Sequence, residues 1–136
     1  MRARIVLTAV AVAVAVNLAI HAAGRAIGGT FRFTQAGHPI AVDAAAVAGF
    51  TAVPLLAGLV LVALTARRWP WVASAALIVA PSLAVVTILG MTVPADFDTT
   101  SSVALGLCHL ALVPITILSL RALRAATATP TAPSTT

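Results

Sequence analysis

Long apolar blocks alternate with short polar connections along this chain. The four blocks lie at residues 5–23, 41–66, 69–91 and 102–120, and every charged residue except Asp43 lies outside them, as do four of the eight glycines. A helix needs about 20 apolar residues to cross a hydrocarbon core of about 30 Å. A helix also satisfies its own backbone hydrogen bonds in lipid, whereas four strands cannot close a barrel. The pattern therefore predicts an all-α fold, a four-helix transmembrane bundle.

The arginines indicate how the predicted bundle crosses the membrane. Six of them fall on the same side of the four blocks: Arg2, Arg4, Arg67, Arg68, Arg121 and Arg124. Arginine-rich connections tend to stay in the cytoplasm. Trp69 and Trp71 directly follow one arginine pair and are expected to anchor that end in the headgroup layer. We therefore expect a multi-pass protein of the cell membrane with both termini in the cytoplasm.

The first block has a second interpretation. Two arginines, an apolar stretch and Ile20-His21-Ala22 together resemble a secretory signal with a small-residue cleavage site. Cleavage there would leave three spans and an N-terminus outside the cell. The length of the apolar stretch and the histidine beside the cleavage point favour a retained span, and both interpretations stay open at this stage.

The connections differ in length and in what they predict. In the first outer connection, Gly28-Gly29 ends any continuing helix, and residues 30–34 alternate between polar and aromatic side chains. This segment is either a short hairpin or an irregular loop. The turn between the second and third blocks is very short, so we expect those two helices to be antiparallel neighbours.

The remaining connections bound the fourth helix. Ser101 or Ser102 is expected to cap its N-terminus. Residues 125–136 contain only Thr, Ala, Pro and Ser, and we predict a disordered cytoplasmic tail after a membrane domain at residues 1–124.

Composition supports a membrane location and excludes a nucleic-acid partner. The 136 residues are 61% hydrophobic and 8% charged, whereas soluble domains carry about a quarter charged residues. The formal net charge of +5 comes from arginines that flank apolar blocks rather than share one surface. The lipid bilayer is thus the expected partner. The chain has no lysine and much alanine, a bias that suggests a GC-rich bacterial genome.

Several polar side chains fall within the outer part of the predicted spans. Polar groups in lipid are costly, so each needs an explanation. Five of them form our candidate polar pocket: Asn17, His21, Asp43, Thr87 and His109. One interpretation is a hydrophilic site whose histidines titrate or bind a ligand. The favoured interpretation is a set of interhelical hydrogen bonds, each worth about 1 kcal/mol. His109 is the strongest single candidate because it is the deepest ionisable group.

Small residues four apart can also bring helices close together. Ala45 and Gly49 make one such step within the second block. Gly24 and Gly28 make another, which lies outside the predicted span and is attributed to chance.

The side chains present argue against several activities. No carboxylate lies in the central part of a span, as a proton-coupled exporter would need, and the single Cys108 excludes a Cys-x-x-Cys centre. His21 and His109 differ in expected depth, which disfavours a bis-histidine haem. No Ser-His-Asp or metal-ligand spacing is evident. We therefore expect no enzyme, no cofactor and no metal. The favoured function is a structural or interaction bundle that forms a homo-oligomer or accompanies another membrane protein. The alternative is a small-solute transporter or ligand-binding membrane protein that uses the polar pocket.

Four short segments carry a resemblance to a known group of proteins. They are Asn17-Leu18, Gly28-Gly29-Thr30-Phe31, Pro81-Ser82-Leu83 and the segment from Ala104 to Leu110. Over residues 5–123 the chain resembles a family of small four-span actinobacterial membrane proteins of unknown function. The resemblance implies the four-helix fold and a cell-membrane location, but no activity and no established site residues. It makes Asn17 and His109 the first positions to mutate.

Overall fold

The computed structural model describes residues 1–128 and contains four long helices. They are α1 (Arg2–Ala26), α2 (Ala44–Thr65), α3 (Trp71–Thr87) and α4 (Thr99–Ala128), with a π-helical segment, Ile88–Thr92, directly after α3. All four helices are long and apolar enough to cross a membrane, with α3 and the π-helical segment acting as one span. The predicted four-helix fold is confirmed.

The start of α2 differs from the predicted span, which began at Ala41. Ala41 is the last residue of a strand, and the helix begins at Ala44. The boundary is set by Asp43, whose carboxylate accepts a hydrogen bond from the Ala46 backbone N–H (2.8 Å). An acidic side chain at this position satisfies one of the free N–H groups of the first helical turn.

The helices are not packed in the order that the short connections predict. Helix α1 packs against both α2 and α4, and α3 packs mainly against α4. Helices α2 and α3 make few contacts despite the short turn that joins them. Since α1 and α4 occupy the middle of the bundle, the expected close pairing of α2 with α3 is only marginal.

One apolar core joins all four helices at the end where α1 begins and α4 ends. Its buried members are Val6, Ala9, Leu59, Val62, Ala66, Ala73, Leu120 and Leu123. Six arginines lie at this end, which we call the arginine end. The helices therefore run up and down in alternation, as the predicted topology requires.

The opposite end, which we call the hairpin end, carries a β-hairpin between α1 and α2. Strands β1 (Arg32–Gln35) and β2 (His38–Ala41) pair antiparallel, with Phe33 opposite Ile40. The connecting residues Ala36 and Gly37 both have positive φ, as a two-residue type I′ turn requires. Of the two interpretations of this connection, the hairpin is the one that the structure contains.

Helix α4 is longer than predicted at both ends. It starts at Thr99, three residues before the predicted start of the span, and continues to Ala128. The first four residues of the predicted tail are therefore helical, and residues 129–136 of that tail lie outside the described residues.

Candidate functional site

Asn17 lies on the buried face of α1, where it connects the helix to α2 and α4. Its amide Nδ2 donates a hydrogen bond to Oγ1 of Thr51 (2.9 Å), and both residues are buried. The Cys108 Sγ–H donates a long hydrogen bond to the Asn17 backbone oxygen (3.7 Å). Asn17 Oδ1 is buried and accepts no hydrogen bond from residues 1–128. Asn17 is thus the polar centre of the bundle, and Thr51 is a partner that the sequence did not single out.

His21 lies one helical turn beyond Asn17 and is also buried. Its Nε2–H donates to the backbone oxygen of Val42 (3.1 Å), which directly follows the hairpin. Its ring packs at 4.4 Å from the ring of Phe31. His21 therefore connects α1 to both sides of the hairpin.

The other three members of the predicted pocket bond within their own helices. Asp43 is exposed and caps α2, as described above. Thr87 Oγ1 donates to the Leu83 oxygen (2.7 Å), and His109 Nδ1–H donates to the Leu105 oxygen (2.8 Å). Within residues 1–128, no hydrogen bond joins these three side chains to Asn17 or His21. The five residues thus do not form one hydrogen-bonded cluster.

A second polar cluster lies between the two loops of the hairpin end, and the sequence analysis did not predict it. Asp98 Oδ2 accepts hydrogen bonds from Thr30 N–H (3.0 Å), Thr30 Oγ1 (2.7 Å) and Ser101 Oγ (2.6 Å), and Oδ1 accepts from Ser101 N–H (2.9 Å). Ser101 Oγ in turn accepts from Phe31 N–H (2.8 Å). We call Thr30, Phe31, Asp98 and Ser101 the loop clasp. Asp98, and neither Ser101 nor Ser102, is the residue that caps α4.

A signal for the clasp was present in the sequence. Asp98 and Ser101 have the spacing of a capping box, in which an N-cap side chain and the third helical residue satisfy each other. Nothing in the spacing shows that Thr30, 68 residues away in sequence from Asp98, completes the same cluster.

Phe31 fills the space beneath the clasp. Its side chain is 0% exposed, and its φ of 52° is unusual for a residue other than glycine. A Cβ on Gly24 would lie 2.8 Å from Phe31 Cζ, and one on Gly29 would lie 2.9 Å from Phe31 Cε2. Both glycines are therefore needed for the aromatic ring to reach the interior.

A second contact holds the hairpin on the loop before α4. Asp96 Oδ1 accepts a hydrogen bond from Thr34 N–H (2.6 Å), and the rings of Phe33 and Phe97 lie 5.0 Å apart. The hydrogen bond with the Thr34 backbone lowers the pKa of Asp96. The loop before α4 and the start of α4 thus hold both strand β1 and the two residues that precede it.

Stability is expected to depend on pH through Asp98. Hydrogen bonds from the Ser101 hydroxyl and then the Thr30 hydroxyl hold the pKa of this carboxyl well below its ordinary value of 3.8. Since the pKa is lower in the folded state, the stabilisation is complete above the unfolded value and is lost as the pH falls through the folded value. The melting temperature in detergent should stay constant down to about pH 4 and fall below it.

Asp98→Asn isolates the contribution of this carboxylate. The variant should melt at a lower temperature than the parent at neutral pH. Its melting temperature should also fall less than that of the parent when the pH is lowered below about 4. Asp43→Asn removes the carboxylate that caps α2. It should leave unchanged the decrease in melting temperature at acid pH that comes from Asp98. An unchanged profile in Asp98→Asn would contradict the assignment.

The arginine end presents the predicted topology anchors. Arg2 donates a hydrogen bond to the Ala63 backbone oxygen (3.1 Å), which ties the start of α1 to the end of α2. Trp69 and Trp71 are 51% and 68% exposed. All three acidic side chains of the chain, Asp43, Asp96 and Asp98, lie at the hairpin end. The two ends of the bundle therefore differ in charge.

Four long apolar helices with basic residues gathered at one end define a small multi-pass membrane protein. Among residues 1–128, no three His, Cys, Asp or Glu side chains come close enough together to hold a metal ion. The chain belongs to the family of unknown function DUF6069, whose pattern it matches over residues 1–126. The expectation of an uncharacterised family is thereby confirmed. No curated protein and no solved structure matches the chain.

Proposed function

We propose that this protein is a structural or accessory bundle of the cell membrane, without enzymatic activity. The hydrogen bond between Asn17 and Thr51 carries the proposal, because it uses the polar groups of two neighbouring helices to hold them together. Hydrogen bonds between membrane helices commonly have this role. The loop clasp supports the same conclusion, since its four hydrogen bonds to Asp98 fix one loop on the other.

A partner within the membrane belongs to the same proposal. Helix α3 has one buried residue, Ala73, and presents large apolar side chains such as Ile78 and Leu83 outward. Lipid, a second copy of the chain or another membrane protein would cover this surface.

A double-mutant cycle on Asn17 and Thr51 tests the structural role. Asn17→Leu and Thr51→Val should each lower the free energy of unfolding, with a coupling energy of about 0.6 kcal/mol and at most about 1.7 kcal/mol. The measurement is reversible unfolding in detergent micelles. Thr87→Val is the matched control, because Thr87 bonds within its own helix and its effect should add to that of Asn17→Leu.

The same cycle decides for or against ligand binding, which we keep as the second candidate function. The buried Asn17 Oδ1, which has no partner in residues 1–128, favours it, since an unpaired acceptor in the bundle could receive a hydrogen bond from a small polar solute. A polar residue that is retained to bind a ligand usually destabilises the folded protein. In that case Asn17→Leu would raise the free energy of unfolding. That increase, with no coupling to Thr51, would contradict the structural role.

We also propose that both termini lie in the cytoplasm of an actinobacterial cell. The six arginines of the arginine end support the orientation, because positively charged flanks remain on the cytoplasmic side. The absence of lysine from the sequence supports the origin. A reporter that is active only in the cytoplasm should be active at either terminus, and one inserted at Ala36–Gly37 should be inactive. A C-terminal reporter active only outside the cytoplasm would reverse the proposed orientation.

A further inference from the structure

A groove of about 780 Å³ runs between α1 and α4 at the arginine end. Its volume is within the roughly 300–1,000 Å³ that small-molecule sites commonly have. Arg4, Thr8 and Val12 line it from α1, and Ile115, Leu118 and Ala122 line it from α4. The groove is separate from the Asn17 cluster and from the loop clasp, and neither of the functions proposed above uses it.

The lining changes in character along the groove. Arg4, Thr8 and Val12 follow one another at four-residue steps, so they lie along one face of α1 over about 12 Å. The cation is nearest the end of the helix, the hydroxyl follows, and the apolar side chain lies deepest in the bundle. Helix α4 runs in the opposite direction, so Leu118 and Ile115 continue the apolar wall toward the centre of the membrane.

Arg4 is the charged side chain of this groove, which the N-terminal residue Met1 also lines. Its side chain is exposed and has no hydrogen-bond or ion-pair partner among residues 1–128, in contrast to Arg2, which donates to the Ala63 oxygen. The acidic side chains, Asp43, Asp96 and Asp98, all lie at the other end of the bundle, so among residues 1–128 no carboxylate neutralises Arg4. A guanidinium in this position suits a phosphate, which it can bind through two parallel hydrogen bonds.

We propose that this groove binds one anionic phospholipid. The phosphate lies at Arg4 and Thr8, and an acyl chain follows the apolar wall past Val12 toward Ile115 and Leu118. Charge at the mouth and apolar surface beyond it match the two parts of such a lipid, and the order of the groups matches the direction from membrane surface to membrane centre. The inference rests on the membrane location of the protein, but not on its accessory role.

Lipid retention by the full chain tests this proposal. The protein is reconstituted into nanodiscs that contain equal amounts of phosphatidylglycerol and phosphatidylcholine, transferred to detergent, and examined by native mass spectrometry. We expect the parent to retain phosphatidylglycerol about fivefold over phosphatidylcholine, as one arginine at a membrane surface allows. Arg4→Gln should lose this preference. Ala122→Phe, which fills the groove and leaves the charge unchanged, should lose retention of both lipids.

Arg68→Gln is the matched control, because it removes the same charge at the same end outside the groove. It should retain phosphatidylglycerol as the parent does, and excess inorganic phosphate should not displace the lipid. The proposal is overturned if Arg4→Gln and Ala122→Phe behave as the parent, if Arg68→Gln loses the preference equally, or if phosphate alone displaces the lipid. A dimer that only the groove variants dissociate would assign the groove to a second copy instead. Failure of the parent to enter nanodiscs would refute the membrane location itself.

Discussion

Phe31→Ala is expected to lower the free energy of unfolding by about 3–5 kcal/mol, the usual effect of removing a buried aromatic ring. The ring is fully buried, lies against His21 and fits over Gly24. Its removal leaves a cavity beneath the loop clasp. The effect should reach beyond the cavity, because the Phe31 N–H bonds to Ser101, which also holds Asp98. The melting temperature and the denaturant midpoint in detergent micelles measure the loss.

Phe50→Ala is the matched control for this prediction. Phe50 lies on α2 and is 80% exposed, so it contacts lipid or detergent rather than protein. Truncation there should change stability by a small fraction of the Phe31 effect, since little packing within the protein is lost. Equal losses in the two variants would mean that Phe31 does not hold the hairpin on the bundle.

The four helices could be predicted because their signal is local. Length and apolar composition determine whether a segment can cross a membrane, and arginines such as Arg67 and Arg68 divide the segments. The boundaries were less exact where a side chain sets them. Asp43 caps α2 and Asp98 caps α4. Around Asp98 several hydroxyl residues could act as the cap, so the sequence alone does not select it.

The candidate site could be predicted only in part, because it depends on how each helix is rotated about its own axis. Asn17 and His21 are four residues apart, so their shared face follows from helical geometry. Whether Thr51, Thr87 or His109 meets that face depends on neighbouring helices, and apolar residues on nearly all sides of these helices leave no stripe to indicate the rotation. Thr51 meets it, whereas Thr87 and His109 bond to their own helices.

The loop clasp as a whole could not be predicted from the sequence. Its residues come from two loops that are far apart along the chain, and no periodic pattern connects them. The structure gives each carboxylate a different backbone partner, Thr30 for Asp98 and Thr34 for Asp96. Polar residues outside the spans, and not those within them, therefore make most of the side-chain hydrogen bonds between distant segments.

The small-residue steps give a further comparison between sequence and structure. Ala45 and Gly49 were the expected close-packing step, but no atom of another helix lies within 4 Å of a Cβ built on Gly49. Gly24 was attributed to chance together with Gly28, yet it is buried within α1 and faces Phe31 and Ala104. Spacing alone did not distinguish Gly24 from Gly49, because the size limit at Gly24 comes from the Phe31 ring, which is inserted from a loop, together with the Ala104 methyl group of α4.

Gly24→Ala is therefore expected to destabilise the protein, by about 1–3 kcal/mol if the site behaves as other overpacked cores do. The added Cβ would lie 2.8 Å from Phe31 Cζ and 3.0 Å from Ala104 Cβ. The Ala104 methyl group cannot rotate away, so the ring or helix α4 must shift. Alanine has a higher helix propensity than glycine, which offsets at most about 1 kcal/mol of this loss. Thermal unfolding of the purified variant in detergent measures the net effect.

Gly49→Ala is the control, since it makes the same change in a helix where the new methyl group meets nothing. It should leave stability unchanged or raise it. Because Gly24 and Phe31 share one space, their effects should not add: in the Phe31→Ala background, Gly24→Ala should cost less than it does alone. Equal costs in the two backgrounds would show that the ring is not what limits residue 24 to glycine, and the contact with Ala104 would then account for the whole loss.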